Sequence, residues 1–75
     1  MTVTVGKIKK AVDNPHFDMW KVTGREGGYW VMQYDDVDRN IFVNESFMVM
    51  YLKNLPLDVW VEYGKRFVKQ VEGDI

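Results

Sequence analysis

Phe17–Tyr34, FDMWKVTGREGGYWVMQY, is the stretch whose reading decides the fold. It reads as a β-hairpin holding two of the chain's three tryptophans, Trp20 and Trp30. Side chains alternate faces along a strand, so register decides what is buried. With Gly24 opposite Gly28 across the loop Arg25-Glu26-Gly27, Val22 faces Trp30 and Trp20 faces Met32. That register gathers Trp20, Val22, Trp30, Met32 and Tyr34 on one face. It also puts Gly27 at the loop position where a type I turn with a G1 bulge requires positive φ. Shifting it to set Thr23 opposite Trp30 would set Trp20 opposite Gln33. Met19, Lys21, Thr23, Tyr29, Val31 and Gln33 fall on the second face, which is mixed rather than polar.

The chain must cover the first face with what remains of 75 residues, so a single domain spanning 1–75 is expected. A chain of this length buries about 60–65% of its unfolded surface. The 47% hydrophobic content, with 3 Trp, 4 Tyr and 4 Phe, supplies large side chains where length is short. With no cysteine there is neither a disulfide nor a thiolate metal site, which points to a reducing, cytoplasmic setting. The formal net charge of −1 argues against strong whole-domain attraction to nucleic acid or anionic membrane. No apolar run approaches the ~18 residues of a membrane span. The N-terminal MTVTVGKIKK is alternating and basic, unlike a signal peptide.

Outward from the hairpin, Thr2–Val12 reads as a first strand, with a bulge or bend at Gly6 where the apolar phase changes. Asp13-Asn14-Pro15 is a turn. Asp35–Asn40 is a second turn, and Ile41-Phe42-Val43 a short fourth strand. Asn44 suits a helix N-cap, with Phe47, Met50, Tyr51 and Leu55 at helical spacing and a stop before Pro56. The last segment fits two templates. Leu57–Tyr63 alternates like a strand, whereas Trp60, Tyr63, Gly64, Phe67, Val68 and Val71 follow i, i+3, i+4, i+7, i+8, i+11. The longer match favours a helix, with Glu62–Arg66 as an i,i+4 pair, Asp58 as a cap and Gly73 as a stop. Gly64 in that helix implies a close packing contact, against the hairpin among other candidates.

The expected fold is α+β: a curved antiparallel sheet of three to four strands followed by two C-terminal helices packed on one face, enclosing Trp20, Trp30 and Trp60. The alternative is a small SH3-like or OB-like β-barrel, with residues 57–72 as two strands. Residues 5–50 resemble an SH3-like barrel of the Tudor type. The similar features are a glycine at the first strand, a tryptophan strand, and YWVMQYDDVDRNIFV as strand, acidic turn, strand. The resemblance implies an aromatic cage for methylated side chains, formed by Trp20, Tyr29 and Tyr34. Val37 stands where that family usually has a glycine.

Little in the chain carries catalytic chemistry. Asp36, Asp38 and Asn40 have the 1, 3, 5 spacing of a calcium loop, but the same register puts Ile41 and Phe47 where glycine and glutamate are required. His16 and Ser46 are the only histidine and serine, each in a position with an ordinary structural use. No catalytic, cofactor or metal residues are assigned, no small-molecule substrate is evident, and a non-enzymatic protein is expected. Lys7, Lys9, Lys10, Lys21 and Arg25, with Trp20 and Tyr29 nearby, form a possible basic strip on the sheet for single-stranded nucleic acid. The competing reading is a lysine edge that blocks aggregation. Lys65, Arg66 and Lys69 read as a solvated helix face. Phe47–Tyr51 is five apolar residues in a row, more than one helical face holds. Met48, Met50 and Tyr51 therefore suggest a contact surface for a protein partner or for self-association, alongside Met19, Tyr29 and Val31 on the mixed hairpin face.

The first functional expectation is a non-catalytic protein-interaction module. Its size and style are those of phage or mobile-element accessory proteins that modulate a host protein. The second is a nucleic-acid-binding small barrel.

Overall fold

The structure is a computed structural model that describes residues 2–24 and 27–74. Helix α1 (Val5–Val12) leads into strands β1 (Phe17–Gly24), β2 (Gly27–Asp36) and β3 (Ile41–Phe47). A 3₁₀ turn (Leu52–Asn54) and helix α2 (Leu57–Gly73) follow. The strands form one antiparallel sheet in the order β1-β2-β3. Both helices lie on one face of it, so the domain is α+β in two layers. The described sheet is open and does not close into an SH3-like or OB-like barrel.

Two elements differ from the sequence reading. Thr2–Val12 is not a strand. Thr4 caps a helix instead, its Oγ1 accepting from the Lys7 N–H at 3.2 Å. Val5, Ile8 and Val12 then share a helical face, with Ile8 and Val12 buried. The phase change at Gly6 was helical period. Asn44 caps no helix either. It lies inside β3, which runs on to Phe47 opposite Trp30. Only Leu52–Asn54 of the expected helix has helical turns. Strand pairing satisfies the backbone through Phe47, and apolar side chains all round a helix would have left several in water.

The C-terminal segment is the helix its longer template favours. Trp60, Gly64, Phe67, Val68 and Val71 are its buried positions. Arg66 donates to Glu62 at 2.7 Å. Asp58 sits in the first turn, favourable for the helix dipole, but the cap position is Pro56. Gly64 is a contact, as expected: a Cβ there would lie 2.6 Å from Val12 Cγ2 and 3.3 Å from Phe17 Cζ. A side chain at that position would push α1 and the start of the hairpin off α2.

The hairpin register is displaced by one residue from the expected one. Gly24 pairs with Gly27, Lys21 with Trp30, Met19 with Met32 and Phe17 with Tyr34. Gly27 has φ +104°, the positive value foreseen for it, in a tighter hairpin. The displacement leaves β2 as read and turns β1 over. Phe17 and Met19 now join Met32, Tyr34, Ile8, Val12, Trp60, Phe67, Val68 and Val71 in the core. Met19 is therefore buried and is no contact residue. Trp60 is fully buried and Trp30 partly, but Trp20 lies on the opposite face, 36% exposed. The first residues of the hairpin decide this. Phe17 and Met19 match Tyr34 and Met32 as apolar pairs only in the observed register.

Candidate functional site

The face turned away from the helices is the first candidate surface. Register places Asp18, Trp20 and Val22 of β1, Tyr29, Val31, Gln33 and Asp35 of β2, and Phe42, Asn44 and Ser46 of β3 on it. No element covers it among the described residues. Its centre is the row Trp20–Val31–Ser46, with Val31 closed in by its neighbours and only 6% exposed. Phe42 is 62% exposed at the β3 side. Asp18 and Asp35 lie at the end where the strands enter from α1. No Lys or Arg among the described residues falls on this face.

The two sequence-derived contact groups meet here in part. Tyr29 and Val31 are on the open face. Met48 follows β3, exposed, and lines a shallow depression of about 510 Å³ with Val22 and Tyr29. Met50 and Tyr51 are on no helix. The Met50 methyl lies over Gly27, where a Cβ would collide with it. The Tyr51 ring sits 5.0 Å from Lys21 Nζ and 5.6 Å from Lys53 Nζ, held by two cations. Trp20 is the exposed aromatic of this face that the expected contact groups left out, because a one-residue slip assigns it to the core.

The expected basic strip does not assemble on the sheet. Lys7, Lys9 and Lys10 are on α1, in the helical layer. Lys9 Nζ pairs with Asp18 Oδ1 at 3.2 Å. Lys21 points to the core side, near Tyr51, and Arg25 is outside the described residues. The cage of Trp20, Tyr29 and Tyr34 does not form, since Tyr34 is fully buried on the other face.

Tyr34 belongs instead to a polar network around the second turn. Asp36, 3% exposed, accepts from the Arg39 guanidinium and, at 3.2 Å, from the Arg39 backbone N–H. Arg39 Nη2 donates to Tyr34 Oη at 2.9 Å, and Tyr34 Oη donates to Glu72 Oε2 at 2.9 Å. The Arg39 hydrogen bond holds the Asp36 carboxyl below its ordinary pKa, against the upward push of burial. Burial, then Glu72, raises the Tyr34 phenol. Asp36, first of the calcium-like triplet, is thus committed to a cation, and no cluster suited to a metal occurs among the described residues. His16 Nε2 lies 3.5 Å from Asp36 Oδ2, while Ser46 is on the open face opposite Val31, so nucleophile and base do not meet. The network ties the turn before β3 to the end of α2.

A second candidate surface runs along the seam between β3 and α2. Phe47 pins β3 to the helix, stacked on Tyr63 at 5.6 Å and edge-on to Trp60 at 6.1 Å. Toward the Ile41 end the layers part. A groove of about 500 Å³ opens there, lined by Arg39, Ile41, Val43, Glu45, Phe67 and Val71 among others. No helix among the described residues is long and apolar enough to cross a membrane. Comparison with protein-family models, curated proteins and solved structures returned no match.

Proposed function

We propose that this protein is a non-catalytic interaction module that binds a protein partner through the open face of its sheet. One observation carries the reading: Trp20, Tyr29, Phe42 and Met48, around the closed-in Val31, form an aromatic-rich surface with no covering element and, apart from Lys9 paired to Asp18 at its end, no cation among the described residues. Aromatic and methionine side chains suit interface centres, where charge is depleted. At one end Asp18 is paired with Lys9, so Asp35 is the carboxylate that favours a partner segment bringing apolar anchors and a basic residue. That carboxylate repels phosphates, which weighs against stacking of nucleic acid on this face. A domain this small, with one whole layer free to dock, suits occlusion or modulation of a larger host protein, in the manner of phage and mobile-element accessory proteins.

Site-specific photo-crosslinking tests the reading. A photoreactive residue at Phe42 should give one dominant protein adduct in lysate of the native host, and one at Lys65 on the outer face of α2 should not. Adding Trp20→Asp should remove the adduct. Equal labelling from both positions, or an adduct indifferent to Trp20→Asp, refutes the reading. So does salt-dependent oligonucleotide binding that is lost when Lys7, Lys9 and Lys10 are replaced.

A further inference from the structure

The backbone polarity of β3 points to a different surface. Asp35 N donates to His16 O at 3.0 Å, continuing the β1–β2 ladder. Groups on successive residues of a strand point to opposite sides. Odd residues of β2 therefore bond β1, and even ones bond β3. Their β3 partners Ile41, Val43, Glu45 and Phe47 face inward. Phe42, Asn44 and Ser46 turn their N–H and C=O groups outward. Among the described residues, no turn, loop or side-chain acceptor takes those N–H groups.

By the same alternation, β1 turns Phe17, Met19, Lys21 and Thr23 outward. There the Phe17 N–H donates to Asn14 O at 3.2 Å and the Met19 N–H to Asp18 Oδ1 at 2.7 Å. A lysine follows. These are the devices that blunt an edge strand. β3, IFVNESF, has no lysine, proline or bulge and carries a single charge, Glu45.

We propose that β3 pairs antiparallel with β3 of a second copy about a two-fold axis, joining two sheets into one. Three features favour a copy of this chain. The groove between β3 and α2 lies directly beside the open edge, on the side where an added strand projects alternate side chains. β3 itself projects Ile41 and Val43 to that side, an apolar pair for an apolar-floored groove, while Phe47 stays stacked on Tyr63 of its own chain. Arg39 precedes the strand and Glu45 lies near its far end. Antiparallel pairing therefore brings Glu45 of each copy to the end that carries Arg39 of the other, and the two-fold makes that complementarity twice. The net charge of −1 opposes little of this.

The whole chain is tested by sedimentation velocity from micromolar to millimolar concentration, with amide exchange measured in parallel. The expected species at high concentration has the mass of two chains. Phe42, Asn44 and Ser46 amides should exchange more slowly there than in dilute solution. Asn44→Pro removes an outward N–H and leaves the β2 ladder intact; it should weaken the dimer about a hundredfold, one ladder bond from each copy at roughly tenfold each. Trp20→Ser on the open face should leave the dimer unchanged. A monomer throughout the range overturns the proposal. So does a dimer whose β3 amides show no concentration dependence, or one abolished by Trp20→Ser. A folded Asn44→Pro chain of undiminished mass does the same; if that variant does not fold, the amide comparison on the wild type decides.

Discussion

At the β1 edge of the sheet, the Met19 N–H ends on Asp18, and Asp18 is in turn paired with Lys9 of α1. At the β3 edge, the outward N–H groups of Phe42, Asn44 and Ser46 end on no group among the described residues, and the groove beside them is open. Both strands belong to one antiparallel sheet, and neither has Pro in it. The difference is where the helices lie. α1 packs on β1 and α2, and α2 packs on β2, so two helices cover two strands and the third is left half-dressed. Two helices on three strands leave an asymmetric molecule: among the described residues, two of the four outward N–H groups at the β1 edge are taken, and none of those of Phe42, Asn44 and Ser46 at the β3 edge.

Core truncation should expose that asymmetry most strongly. Ile8→Ala, at a fully buried position of α1, should cost about 2–5 kcal/mol in denaturant unfolding. Val43→Ala on β3, where the side chain is 39% exposed, should stay within about 0.5 kcal/mol. Equal costs would mean the β3 side is as well packed as the β1 side. Next comes the close contact that seats α1. Gly64→Ala should destabilise by about 1–3 kcal/mol despite the better helix propensity of alanine, because Val12 and Phe17 must move. Combining it with Val12→Ala should recover part of that loss; a stabilised Gly64→Ala chain would show that α1 yields freely.

The turn that delivers β3 gives a pH-dependent term. Arg39 lowers the folded-state pKa of Asp36, so the stabilisation is present above the ordinary carboxylate range and is lost as pH falls through the lowered value. The thermal midpoint should therefore drop in acid, and Arg39→Met should flatten that part of the profile. An unchanged acid limb would remove Asp36 as its source. The smallest stability change is expected at the guarded edge. Asp18→Ser removes the pair with Lys9 and should cost only about 0.2–1 kcal/mol, since both groups are half-exposed. Its sharper effect should be on association: the freed Met19 N–H should bring new concentration-dependent self-association through β1. If association does not change, Asp18 is not what closes that edge.

The residues legible in advance share a property. Trp60, Gly64, Phe67, Val68 and Val71 repeat over enough turns that the helical template outweighs the strand one, and Gly64 stood out as a contact before its neighbours were known. Glu62 and Arg66 find each other within one helix. Gly27 has the positive φ expected of it, though the register from which that was read is displaced. On the open face, the places of Tyr29 and Val31 were legible because β2 keeps its alternation in either register, though Val31 is closed in by its neighbours.

Tertiary structure decided the rest, for two physical reasons. The first is length. Val5–Val12 spans about two turns and matches both helix and strand periods; Thr4 as a cap and the cover it finds against Val12, Phe17 and Gly64 select the helix. The same holds for Asn44–Asn54, where pairing of Phe47 with Trp30 and its stacking on Tyr63 outcompete a helical stripe. The second is that register has no local signature. A one-residue slip costs the hairpin little by itself, but it exchanges both faces of β1. Only the helices, by needing Phe17 and Met19 beneath them, send Trp20 to the open side. Composition and periodicity alone thus determined that this chain makes an α+β domain with an aromatic hairpin and a C-terminal helix. Which aromatic faces the outside, and which edge of the sheet stays open, followed from where two helices cover three strands.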